Sequence, residues 1–296
     1  MTLNIPDAPQ RRTMAAWIAG VLTLLVAVAV VAVTPTRANA ATAVPLGEAE
    51  TFAVLAGSTV TNTGDTEVTG DVGVSPGTAV TGFPPGTVTG GTIRTAAAAA
   101  GAQADLGTAY DNAFAQPTQF SLSAQPVNPT LVAGTYAVES GLLVDGTWTL
   151  DAQNNPDAVW VFKIPGGLTT ASGSQIVLQN GAQACNVFWV TNPSATLGSG
   201  STFVGTLMAL TAISVNSNVT IDGRVLARNA GVTLIDDTIT RPLCEDATTT
   251  ATGEAPTTTT GEAPTTATGE APTTATGEAP TTATGEAPTT ATGEAP

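Results

Sequence analysis

Residues 41–247 alternate short apolar runs with clusters of glycine, asparagine, serine and proline. From residue 131 onward the runs 134–138, 142–144, 148–150, 159–164, 176–178, 187–190, 203–213, 219–226 and 232–239 have strand length and are rich in valine, isoleucine and leucine. Residues 41–91 carry the same signal in a shorter form, with turns at Thr63-Gly64-Asp65, Ser75-Pro76-Gly77 and Pro84-Pro85-Gly86. The period changes once. Residues 95–114 are alanine-rich, with Leu106, Tyr110 and Phe114 four apart, which predicts one helix with a single apolar stripe. Thr95 is placed to cap its start and Pro117 to stop it.

Many short strands, one helix and little charge fit either a β-sandwich or a parallel β-solenoid. Corners filled by Asn and Gly, runs small enough to stack in a narrow core, and an imperfect repeat favour the solenoid. The repeat consists of hydroxyl-bearing slots: Thr63-Gly64-Asp65-Thr66, Gly146-Thr147-Trp148-Thr149, Ser172-Gly173-Ser174-Gln175, Ser199-Gly200-Ser201-Thr202, Ser217-Asn218-Val219-Thr220 and Ala230-Gly231-Val232-Thr233. Each leads into an apolar or alternating segment, so the slots are expected to stack into one flat face assembled from both ends of the chain. Exposed Thr and Ser in strands are also what ordinary β propensity produces.

The two ends of the chain are of a different kind. Arg11 and Arg12 precede the apolar run 14–33, and Ala38-Asn39-Ala40 is a small-x-small cleavage site, so residues 1–40 read as a secretory signal peptide cut after Ala40 or at 41–43. The competing reading is an uncleaved anchor, since about 20 apolar residues span a bilayer. At the other end Gly-Glu-Ala-Pro recurs six times at a period of eight, separated by Thr/Ala tetrads. Such a stretch has no large side chain to bury against the entropy of ordering, so residues 248–296 are expected to form a disordered spacer. It ends in register at Pro296, which leaves release into the medium or a tether to the cell envelope as alternatives.

Charge and composition narrow the chemistry. Without residues 1–40 the chain has five basic residues against twenty-two acidic ones, a net charge of −17, which disfavours nucleic acid and anionic membranes as partners. There is no histidine, so imidazole bases and His-ligated metals are excluded. The carboxylate pairs Asp236/Asp237 and Asp151/Asp157 lie in turn-like sequence, where solvated turn carboxylates are the ordinary explanation. No phosphate loop, calcium loop or cofactor motif is present, and neither an enzyme nor a cofactor is expected. Cys185 and Cys244 are either a disulfide, as an exported chain favours, or two free thiols.

The segments 52–57, 70–77, 157–162, 180–189 and 222–228 closely resemble the ice-binding proteins built on the DUF3494 domain, and the likeness runs over residues 46–242. Asn180-Gly181-Ala182-Gln183-Ala184 through Trp189 is its most specific part. The resemblance implies an irregular right-handed parallel β-helix of triangular section with one long α-helix packed alongside. It also implies a monomer whose partner is the surface of an ice crystal, with Thr-Ala/Gly-x-Thr/Asn recurring on the binding face of some members. On that reading the ice-contacting residues are Thr63, Thr66, Thr149, Ser172, Ser199, Thr202, Ser217, Thr220 and Thr233, and bulk at Thr202 or Thr220 is expected to abolish adsorption.

Overall fold

A computed structural model describes residues 40–244, so the expected signal peptide, apart from Ala40, and the expected spacer 248–296 lie outside the described residues. Residues 52–240 form a parallel β-helix with three faces. The first face stacks β8 (Phe120–Leu122), β10 (Gly134–Val138), β13 (Trp160–Ile164), β16 (Val187–Thr191), the second halves of β18 (Thr202–Ala209) and β20 (Thr220–Ala227), then β1 (Phe52–Ala56), β4 (Asp71–Val74) and β7 (Ile93–Thr95). The second stacks β11 (Leu142–Val144), β14 (Leu168–Thr170), β17 (Ala195–Leu197), β19 (Ile213–Val215), β21 (Val232–Ile235), β2 (Thr59–Thr63) and β5 (Ala79–Thr81). The third stacks β9 (Thr130–Val132), β12 (Thr147–Asp151), β15 (Gln175–Gln179), the first halves of β18 and β20, β22 (Thr238–Thr240), β3 (Glu67–Thr69) and β6 (Thr87–Thr89).

The chain starts in the middle of this stack. β1 pairs with β4 on one side and with β20, about 170 residues later in the chain, on the other. Strands β1 to β7 wind to one end of the helix, α1 (Ala100–Ala115) carries the chain back, and β8 to β22 wind up from the far end until the last coil docks on the first.

Each strand alternates because one row of side chains enters the narrow core and the next leaves it. The interior is crossed by a row of rings: Phe120 on Tyr136 at 4.9 Å, Tyr136 on Phe162 at 5.2 Å, and Phe162 flat on Trp189 at 3.9 Å. The Trp189 indole N–H donates to Val204 O at 2.9 Å, which satisfies its one polar group. Trp189 in turn lies 5.4 Å from the ring of Phe203, and beyond that ring the core narrows to aliphatic side chains such as Ile221, Ile239 and Val68.

Two kinds of corner explain the glycines and asparagines. Between the second and third faces, Gly173, Gly200, Asn218, Asp236 and Gly64 all have positive φ, between 53° and 81°. Gly, Asn and Asp are the residues that adopt this conformation at low cost. Between the third and first faces, β18 and β20 turn without a break at the paired residues Gly205 and Gly223. Gly205 has φ +107°, and a Cβ there would stand 2.6 Å from Val187 O.

The helix lies on the first face. Ala102, Leu106, Ala109, Tyr110 and Ala113 pack against Leu55, Val161, Phe188, Val190, Met208 and Leu226. The alanines let α1 approach closely, and polar groups fix its height: the Tyr110 hydroxyl donates to Thr191 O at 3.0 Å and Gln103 Nε2 to Arg228 O at 2.8 Å. Lys163 Nζ donates to Gln116 O at 2.6 Å, placing a cation at the negative end of the helix dipole. The expected cap at Thr95 is corrected. A 3-10 turn, Ala96–Ala99, comes first, Ala99 occupies the cap position of α1, and Thr95 makes no capping hydrogen bond.

Cys185 and Cys244 are bonded, tying the end of the domain to the short turn before β16. The sequence separation of 59 gives a loop whose closure is worth about 4 kcal/mol in the chain-entropy model. Reduction, or the pair Cys185→Ser with Cys244→Ser, is expected to lower unfolding free energy by about that amount, read from urea melts with and without reductant.

Asp237 provides a second test. It is buried at the corner before β22, where Val219 N–H donates to Oδ1 at 2.9 Å and Ile235 N–H to Oδ2 at 2.8 Å. Burial pushes its carboxyl up to about 7 from the ordinary 3.8, outweighing those two bonds. A raised folded pKa stabilises the protein below the unfolded value and loses that contribution as pH rises through the folded one. Burial also raises Asp222, with the same sign. The melting temperature is therefore expected to fall between about pH 4 and pH 7, and Asp237→Asn to flatten that slope in thermal melts across the range.

Candidate functional site

With the first face covered by α1, the second and third faces are the broad surfaces left open. They differ in what they present. Along the centre of the second face one outward residue per rung forms a column: Leu143, Thr169, Thr196, Ser214, Thr233, Thr61 and Thr81. Six successive rungs carry a hydroxyl, and the residues that point inward beside them are buried and mostly apolar, such as Ala195, Ile213, Val232 and Val60, with Thr170 and Asn62 as polar exceptions.

On one side the column is flanked by short side chains. On the side toward the first face stand Gly167, Ser194, Ala212, Gly231, Thr59 and Ala79. Nothing there rises above a hydroxyl. The outward strand positions of this face hold no charged residue. Parallel rungs are about 4.8 Å apart and same-side residues along a strand about 6.5–7 Å apart, so the hydroxyls and methyls lie on a two-dimensional lattice. β-Branching fixes χ1 of each threonine, and the ladder fixes its backbone.

The third face is also rich in threonine but is interrupted. One column runs Thr147, Gln175, Thr202, Thr220, Thr238, Glu67 and Thr87. The adjacent column holds Thr130, Thr149 and Val177 at one end, and Asp222, Thr240, Thr69 and Thr89 at the other. Glu67 and Asp222 place long or charged groups among the threonines, and each carries a hydration shell of its own.

The residues expected to make one face are divided among three places. Thr233 lies in the central column of the second face, and Thr63 lies at its edge, paired with Ile235. Thr149, Thr202 and Thr220 belong to the third face. Ser172, Ser199 and Ser217 occupy the ridge between the two faces, with Ser217 Oγ donating to Ser199 Oγ at 3.3 Å. Thr66 is a correction: its side chain is fully buried and its Oγ1 accepts the Asp237 N–H at 3.1 Å, so it reaches no surface.

The reason is that the slots mark corners. In four of them the second residue is the positive-φ corner; in three of these the third residue turns inward, as Ser174, Ser201 and Val219 do, and in Thr63-Gly64-Asp65-Thr66 the fourth, Thr66, does. Thr149 is displaced for a related reason: Thr147, not Thr149, pairs with Gln175, and Trp148 between them is buried in the core. The slots therefore do not include Thr61, Thr81, Thr169, Thr196 and Ser214 of the central column. A usable signal exists at Thr78-Ala79-Val80-Thr81 and, with Ser last, at Thr211-Ala212-Ile213-Ser214, where small, apolar and hydroxyl residues follow in order.

The carboxylates weighed for catalysis are engaged in turns. Asp151 Oδ1 accepts from Asn180 Nδ2 at 2.7 Å and from the Gln153 N–H at 2.8 Å, which hold its pKa below the ordinary value. Asp236 Oδ1 accepts the Asp65 N–H at 2.8 Å. Among the described residues no cluster of three or more His, Cys, Asp or Glu side chains could hold a metal ion.

Comparison with known proteins identifies the family. Residues 54–240 match the family described as ice-binding-like. The chain is 44% identical over 201 residues to an ice-binding protein of Nostoc sp. (strain HG1), covering 67% of this chain and 74% of that one. Among solved structures it is similar to an ice-binding protein from an Antarctic biological consortium, at 41% identity and a TM-score of 0.68, over 71% of this chain and 96% of that one. It is also similar to an ice-binding protein from the Antarctic ascomycete Antarctomyces psychrotrophicus, at 36% identity and a TM-score of 0.66, over 68% and 100% of the two chains.

Proposed function

The chain belongs to the ice-binding-like family, and on that footing we propose that it adsorbs to ice through the second face of its β-helix. The observation that carries the choice of face is the column of six successive hydroxyls, Thr169, Thr196, Ser214, Thr233, Thr61 and Thr81, on an uncharged surface. Each threonine methyl leaves the adjacent water short of partners, and each hydroxyl anchors it. Water held at lattice-like spacing joins a growing ice surface with little further loss of entropy, which is binding by preorganisation. The site needs no cofactor, and its role is adsorption, not catalysis.

Export follows from the reading of residues 1–40 as a signal peptide, and action as a monomer outside the cell from the single continuous face. The octapeptide tail favours a second use of the same site, as an adhesin holding a cell to ice through a tether. Ice-affinity partitioning and recrystallisation assays of the purified protein test the main reading. Enrichment in the ice fraction with faceted crystals is expected, and unshaped crystals with ordinary coarsening would overturn it.

A further inference from the structure

The strip of the first face beside Gly205 and Gly223 is not reached by α1. It is covered by the two ends of the domain, residues 43–50 from one side and Pro242 to Cys244 from the other, and between them a cavity of about 450 Å³ remains. Val44, Leu46 and Phe188 supply apolar wall, and Arg224, Asn186 and Glu50 supply the polar groups. The volume lies within the range of small-molecule sites.

Arg224 is the unusual member. It is 3% exposed, and its guanidinium donates only to neutral acceptors: Glu50 O at 3.1 Å, Thr206 Oγ1 at 3.3 Å and Pro242 O at 3.4 Å. Charge-assisted bonds to a carboxylate are shorter, at about 2.7–2.9 Å. The ion pairs among the described residues are Arg94 with Asp71 and Arg228 with Asp111, so this buried cation has no carboxylate partner. A buried charge with no direct ion pair is costly, and two of its five N–H donors remain free of these bonds. Burial accordingly lowers its pKa to about 10, with Arg241 acting in the same direction and Glu50 and Asp222 against it.

We propose that this cavity binds an organic carboxylate with a short aliphatic chain, its carboxylate on Arg224 and its chain between Val44, Leu46 and Phe188. A guanidinium fork matches a carboxylate in shape and charge, and the apolar wall excludes small hydrated anions. The site lies on a different face from the threonine column and does not depend on ice adsorption.

Calorimetric titration of the full chain with hexanoate, at constant ionic strength, tests this, with hexanol and inorganic phosphate as controls. One equivalent of hexanoate is expected to bind, with no saturable heat from either control. Arg224→Gln is expected to abolish binding. Because that change falls on a buried group, Glu50→Gln provides the second arm: the Glu50 side chain is exposed, and removing its negative charge from the cavity is expected to tighten hexanoate several-fold. The absence of saturable heat, hexanol or phosphate binding as well as hexanoate, or an unchanged affinity in Glu50→Gln would each overturn the proposal.

Discussion

Thr196→Tyr is expected to abolish ice shaping while leaving the melting temperature nearly unchanged. Thr196 stands in the middle of the hydroxyl column, between Thr169 and Ser214, with Ser194 two residues before it on the same side. A phenol ring there rises above every neighbour and holds the face away from a planar partner on both sides, so the loss spreads beyond one rung. The concentration needed to suppress recrystallisation is expected to rise on the order of tenfold or more, equivalent to about 1.4 kcal/mol of adsorption energy per tenfold. The side chain leaves the β-helix, so the core is untouched and the thermal midpoint reports an intact fold. Thr220→Tyr on the third face is the matched control, because it adds the same ring to a surface already broken by Glu67 and Asp222. If Thr220→Tyr abolished shaping and Thr196→Tyr did not, the contact surface would move to the third face.

The largest expected loss of stability comes from Trp189→Ala. The indole lies 3.9 Å from the ring of Phe162 and 5.4 Å from that of Phe203, and its N–H is bonded to Val204 O. Truncation removes the stacking, leaves a cavity in a stack that cannot close around it, and frees a buried carbonyl. Together these are expected to cost about 3–5 kcal/mol, at the upper end for core aromatics. For a domain of this size that corresponds to a fall in melting temperature on the order of 10 °C, measured by calorimetry. Phe120→Ala, at the exposed end of the same row of rings, removes a side chain that is 40% exposed and is expected to cost much less.

The fold was legible because its signals are local. Alternation in short runs, Asn and Gly at corners, and one alanine-rich stretch each report on a few neighbouring residues, and the structure places a β-helix and one helix where those signals lie. The position of the binding surface is not local. Thr202 and Thr233 both follow a small residue and a turn signal, yet one faces outward on the third face and the other on the second, because the positive-φ residue lies before the first and after the second. Thr63-Gly64-Asp65-Thr66 matches the expected four-residue form in full and is nonetheless a corner with its last residue buried. Which threonines align follows from register between strands such as β21 and β2, about 170 residues apart, and no short window of sequence carries that information.

The same entry of the chain at mid-stack has a consequence for how the protein matures. Until β20, β21 and β22 arrive, β1, β2 and β3 have a partner on one side only, so the first coils made are among the last to be completed. Contacts of such long sequence separation make for slow, late-closing folding. The hydroxyl column is split at this seam, with Thr61 and Thr81 on one side and Thr233, Ser214, Thr196 and Thr169 on the other. A chain cut short by proteolysis or premature termination before residue 232 therefore keeps only two separate parts of the proposed column, and on that proposal it is expected to lose ice adsorption.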